Sequence, residues 1–119
     1  MDVKDIKHGD ILVASYYPSQ YDWEFSRDYI IFIASGGRTA LHSDGAWLSI
    51  PTIAYIDLEG KFSRKGSIGF TLKPICAEVS ESKLLKPTMS QYVELMEAIA
   101  ANGYTYNTKT KELKKKNSI

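Results

Sequence analysis

The chain has 119 residues, of which 44% are hydrophobic, 24% charged and 12% aromatic. At this length one domain is expected, with a core covering roughly two-thirds of the unfolded surface, and a two-domain enzyme is excluded. Fifteen Lys and Arg against fourteen Asp and Glu leave a net charge of +1. That charge is unevenly placed. Residues 109–119 hold five lysines and one glutamate, or +4, so residues 1–108 carry ten basic and thirteen acidic side chains, or −3.

Cys76 is the single cysteine, so an internal disulfide framework and a CxxC…CxxC zinc site are excluded. His8 and His42 are too few to replace it, and no metal or cofactor is expected. No apolar run reaches the roughly 18–20 residues that span a bilayer. The opening Met1-Asp2-Val3-Lys4-Asp5 lacks the basic-then-apolar pattern of a signal peptide. The expected compartment is the cytoplasm, with no membrane contact.

Taken in chain order, His8-Gly9-Asp10 reads as a turn that launches a strand over Ile11 to Tyr17, stopped by Pro18. Ser19 to Arg27 reads as a polar loop bearing aromatics. Asp28 to Ala34 is nearly continuous in β-branched and aromatic residues, as a strand covered on both faces is, and is expected at the centre of a sheet. Gly36-Gly37 ends it. Thr39 to His42 forms a short return, and Asp44-Gly45 turns the chain into a strand at Trp47 to Ile50. Trp47 is expected in the core. A further strand over Thr52 to Asp57 leads through Gly60 into a hairpin at Phe62. Ile68, Phe70 and Leu72 alternate with Gly69 and Thr71 in a half-buried strand that Pro74 ends. Five or six short antiparallel strands result.

Beyond Lys86-Pro87-Thr88 the pattern becomes helical. Thr88 and Gln91 stand at capping-box spacing. Tyr92, Leu95, Met96 and Ile99 follow at i, i+3, i+4 and i+7 and form one apolar stripe, while Gln91, Glu94, Glu97 and Asn102 fall mostly away from it. Gly103 suits a left-handed stop. Tyr104-Thr105-Tyr106 and Lys111-Glu112-Leu113 then flank the polar turn Asn107 to Thr110 as a two-stranded ribbon. Burial of Tyr104, Tyr106 or Leu113 under the helix fastens the chain as far as about Leu113. The predicted class is α+β: a small antiparallel β-barrel or strongly bent sheet, SH3-like or similar, with a C-terminal helix and short hairpin packed on it. Within one domain, residues 1–82 are mainly β, 83–114 are helix plus hairpin, and 115–119 are a basic tail.

The run Leu84-Leu85-Lys86-Pro87-Thr88, the helix ending Ala101-Asn102-Gly103-Tyr104, and Tyr106 to Lys114 together resemble a tail shared by small uncharacterised proteins of gut Bacteroidales and their phages. The likeness covers residues 83–116, and more loosely the Gly9-Asp10 start and the Asp57 to Phe62 hairpin. It departs in lacking the Ala of that family's Pro-Ala-Thr cap and in having fewer acidic residues in the first helical turn. The resemblance implies an origin and an architecture, and no mechanism.

No constellation of residues converges on catalysis. A nucleophilic Cys76 needs a lowered pKa and a nearby base, and Pro74-Ile75-Cys76-Ala77 offers neither a helix start nor a close cation. In His42-Ser43-Asp44, consecutive side chains point to opposite faces and make a turn, not a triad. Ser35-Gly36-Gly37-Arg38-Thr39 admits an anion-binding nest, but without the spacing of a phosphate loop it reads as an inter-strand turn. Ser63-Arg64-Lys65-Gly66-Ser67 carries the same two readings.

Two binding surfaces remain. Tyr16, Tyr17, Tyr21, Trp23 and Phe25 gather around the first long loop, where aromatics either grip a protein partner or fold back to plug the barrel. Lys109, Lys111, Lys114, Lys115 and Lys116 are either a handle for nucleic acid or a solvated terminus, and no Arg or aromatic is interleaved with them for stacking on bases. The primary expectation is a non-catalytic protein-binding module using the aromatic loop. Nucleic-acid binding through the basic end and a sheet face is the alternative.

Overall fold

A computed structural model describes residues 6–15, 27–36, 40–42, 47–71 and 83–116. Its strands are β1 (Ile11–Ser15), β2 (Tyr29–Ala34), β3 (Ala40–His42), β4 (Trp47–Ile56), β5 (Phe62–Arg64), β6 (Ser67–Thr71) and β7 (Lys83–Leu85). Helix α1 (Met89–Ala101) and a ribbon of β8 (Tyr104–Asn107) and β9 (Glu112–Lys115) follow. The fold is α+β, and every strand pair is antiparallel.

β2 is central, as its uninterrupted apolar sequence predicts. It pairs with β1 on one side and β4 on the other, and β7 adds beyond β1. Alternate β2 side chains enter two different cores. Ile30, Phe32 and Ala34 join Leu12, Ala14, Ile50, Ile68 and Leu84 on one face. Ile31 and Ile33 join Val13, Ala54, Ile56, Leu95 and Ile99 on the other. The second face is the one that α1 and the ribbon cover.

β4 organises the rest. Residues 47–51 pair with β3 and β6, and residues 52–56 pair with β2 and β5. Two strands were expected here, but one ten-residue strand runs through Pro51. The proline is tolerated because its carbonyl accepts from Ser35 N–H and the next ladder donor, Thr52 N–H, reaches the Gly66 carbonyl. Between Ile33 and Ala34 the register slips, leaving Ile53 as an extra residue opposite β2. Such a bulge increases local twist, and Ile50 and Ile68 come back over Leu12, Phe32 and Leu84. Among the described residues no pairing joins β7 to β5 or β6, so the sheet is not closed into a barrel. The three-residue β7 was not expected; it is too short to show alternation.

α1 begins as its sequence demands. Thr88 Oγ1 accepts from Gln91 N–H at 3.2 Å, and Gln91 Oε1 accepts from Thr88 N–H at 2.8 Å. Leu95 and Ile99 are fully buried on the sheet, with Met96 partly buried beside them. Gly103, at φ +84, turns the chain into the ribbon. Lys116 N–H then donates to the Gly103 carbonyl at 2.9 Å, so the strand extends through Lys115 and the expected tail from 115 is shorter by that much.

Helix docking rests on few side chains, so each weighs heavily. Leu95→Ala is expected to lower unfolding free energy by about 2–4 kcal/mol. Thr88→Ala is expected to lower it by about 1 kcal/mol. Urea denaturation followed by circular dichroism reads both, and a Leu95→Ala cost below that of Thr88→Ala contradicts this packing.

Candidate functional site

The ribbon is fastened to the far end of the β1–β2 hairpin. Tyr106 Oη donates to the Gly9 carbonyl at 3.0 Å across 97 residues of sequence. Gly9 itself is held in the turn before β1: its N–H donates to the Ala34 carbonyl at 2.8 Å, and Ala34 N–H donates to the Asp10 carbonyl. Gly9 has φ +87, and a Cβ built on it meets the Lys111 side chain at 2.5–2.8 Å. The aliphatic stem of Lys111 therefore lies directly on the glycine backbone. Next to it, Gly36 N–H donates to His8 Nδ1 at 3.0 Å.

Between this turn, the ribbon and the edge of β4–β5 lies a groove of about 470 Å³. Ile53 and Leu113 contribute apolar lining. Its charged side chains are Arg64, Lys65, Lys111 and Lys114, against Glu112 as the one carboxylate, so four minus one gives +3. Glu112 pairs with Lys114 at 3.1 Å. Arg64, Lys65 and Lys111 thus set the sign of the groove. The Arg64 guanidinium lies 4.4 Å from the centroid of the Tyr104 ring, and Arg64 Nη1 donates to Tyr104 Oη at 2.8 Å.

The backbone here is unusual. Lys65 (φ 59) and Lys111 (φ 61) are the two non-glycine residues with positive φ among the described residues, and both line the groove. A left-handed conformation costs a residue with a Cβ on the order of 1–2 kcal/mol, and Gly or Asn is its usual occupant. Each lysine is locked in place. Lys65 N–H donates to the Ile53 carbonyl, and Thr52 Oγ1, on a buried residue, donates to the Lys65 carbonyl at 3.1 Å. Lys111 N–H donates to the Asn107 carbonyl at 2.8 Å. It closes a turn in which Asn107 Oδ1 accepts from Lys109 N–H and Thr110 N–H.

Of the residues the sequence nominates, Lys109, Lys111, Lys114, Lys115 and Lys116 lie on the turn, on β9 and just after it, all exposed. Lys111 and Lys114 reach the groove; Lys109, Lys115 and Lys116 are not among its lining residues. No arginine or aromatic is interleaved with these lysines in sequence, but the fold brings Arg64 of β5, stacked on Tyr104 of β8, to the groove that Lys111 and Lys114 line. Arg64 and Lys65 lie in the run of residues 63–67 that in sequence admits an anion-binding nest but reads first as an inter-strand turn. The signal that marks them out is two left-handed residues, Lys65 and Gly66, and only the second of these is evident from residue type.

Tyr16, Tyr17, Tyr21, Trp23 and Phe25, and likewise Cys76, lie outside the described residues, as does the side chain of Trp47. The loop that carries the five aromatics has its roots at Ser15 and Arg27, where Ser15 pairs with Tyr29. This is the opposite end of β1 from the groove, about 15 Å away at 3.3 Å per residue. Arg27 is held there by Glu94 Oε2 at 2.7 Å, by the Leu58 carbonyl, and by the Tyr29 ring at 4.8 Å. The aromatic loop and the lysine ribbon are therefore rooted at separate ends of the hairpin.

No protein-family model, curated protein or solved structure matches the chain.

Docking of the ribbon makes its stability pH-dependent. Burial, then the carboxylate of Asp10, then Tyr92 raise the Tyr106 hydroxyl above the ordinary tyrosine range. The folded protein keeps this proton to higher pH than the unfolded chain does. The contribution of Tyr106 is therefore complete below about pH 10, the unfolded value, and is lost as pH rises through the folded one. Thermal melts between pH 8 and 11 are expected to show a steeper alkaline fall for the wild type than for Tyr106→Phe. Equal slopes contradict the docking role of this hydroxyl.

Proposed function

We propose that this protein is a binding module that holds single-stranded nucleic acid along the lysine ribbon and the groove beside it. The observation that carries the reading is the +3 groove, in which Arg64 rests on Tyr104 next to Lys111 and Lys114. Phosphate backbones are bound by such cations through counterion release, and exposed arginine planes offer a surface on which unstacked bases lie. Residues 1–108 carry a net −3 although they supply Arg64 and Lys65 to the groove.

The curl of the sheet, with Ile50 and Ile68 returning over Leu84, supports reading it as a small SH3-like barrel left open. The likeness of residues 83–116 to the Bacteroidales and phage family remains a proposal about origin.

A labelled single strand of about twelve nucleotides, followed by fluorescence anisotropy from low to high salt, tests the function. Affinity is expected to fall steadily as salt rises. It is expected to weaken several-fold in Lys111→Ala/Lys114→Ala and to be unchanged in Trp23→Ala. No binding at low salt, or no dependence on salt, overturns the reading. Loss in Trp23→Ala alone transfers the function to the aromatic loop and a protein partner.

A further inference from the structure

The groove carries more charge than an internal phosphate asks for. One phosphodiester bears a single negative charge, which one cation neutralises. Arg64, Lys65 and Lys111 converge on one groove whose single carboxylate is already paired with Lys114. A terminal phosphomonoester bears up to two charges and offers three acceptor oxygens, and three cations match it.

The backbone points the same way. Either left-handed position is more stable with glycine, yet lysine occupies both. They lie at the break between β5 and β6 and on the ribbon turn, 46 positions apart in the chain (111 − 65), and both line the groove. Strain held in place by surrounding structure is characteristic of ligand clamps. Here the surroundings are specific: the hydroxyl of buried Thr52 is shared between the Lys65 and Gly66 carbonyls at 3.1 and 3.3 Å, and Gly9 leaves room for the Lys111 stem.

Resting on the single-strand reading above, we propose that the groove is a receptor for the phosphorylated end of a nucleic-acid strand. Lys65 and Lys111 are its anionic-ligand clamps, and Arg64 is the planar group beneath the terminal nucleotide. Arg64 is backed by the Tyr104 ring and tethered through Nη1 to Tyr104 Oη, so it loses little freedom on binding.

The test compares one oligonucleotide sequence in three forms, with a 5′-phosphate, a 3′-phosphate and hydroxyls at both ends, against the full chain. One phosphorylated form is expected to bind at least about fivefold more tightly than the hydroxyl form, the scale of one added charge contact, and the 5′ and 3′ arms say which end is read. The preference is expected to shrink at pH 5, below the second phosphate ionisation near 6. In Lys65→Gly and Lys111→Gly the preference is expected to vanish, while the melting temperature stays level or rises. Equal binding of all three forms overturns the end-phosphate receptor and leaves the single-strand reading intact; binding of none overturns both. Glycine variants that keep the preference, or melt lower than wild type, overturn the assignment of the two lysines.

Discussion

Everything in this fold depends on β2 being buried on both faces. A strand reading Tyr29-Ile30-Ile31-Phe32-Ile33-Ala34 has no polar side to give to water, so each face requires its own cover. One cover comes from the sheet itself, through the bulge at Ile53 that carries Ile50 and Ile68 back over Phe32. The other comes from later in the chain, through Leu95 and Ile99 of the helix. At roughly 1.5–3 kcal/mol for each fully buried aliphatic side chain, the second cover is what makes an isolated thirteen-residue helix worth forming.

The groove is a by-product of that second cover. The helix ends at Asn102 and the chain reverses at Gly103, which leaves the ribbon to finish covering the face with Tyr104, Tyr106 and Leu113. Tyr106 reaches the Gly9 carbonyl and halts the ribbon there. The turn of the ribbon then stands opposite the interruption between β5 and β6. A chain reversal thus meets a break in a strand at one end of the sheet, each with a lysine in a left-handed conformation. Surface ion pairs contribute little to this arrangement: Lys114–Glu112 and Lys61–Glu59 are well exposed and are worth at most about 1 kcal/mol each.

Much of this architecture is legible in sequence because it is governed by local rules. The apolar run at 29–34, the Thr88–Gln91 box, the stripe through Leu95 and Ile99 and the ribbon around Asn107 each have a period or a cap that residue type alone reveals. What is not legible depends on non-local pairing. Pro51 looks like a strand end until its neighbours are known to supply the missing ladder bonds, and β7 is recognisable only through its partner β1. The candidate site shows in sequence only as separate parts, the lysines of the ribbon and the run of residues 63–67, and their meeting depends on the same kind of pairing. Arg64 and Tyr104 are forty residues apart, so the lysine-rich segment, with no arginine or aromatic interleaved, does not disclose the stacked pair beside it. The left-handed state of Lys65 and Lys111 is also hidden, since turn statistics place glycine or asparagine there.

Those two lysines also bear on how the protein balances stability against function. A turn position that favours glycine by about 1 kcal/mol is under constant pressure to become glycine when only folding is at stake. Alternative surface sites for a positive charge are plentiful on this chain: Lys109, Lys115 and Lys116 stand within a few residues of the ribbon and carry no backbone penalty. Solubility or general electrostatic attraction is served as well by them. The strained positions differ in one respect, that both line the shared groove, whereas Lys109, Lys115 and Lys116 do not. Charge in general does not account for them, whereas charge at a defined place does.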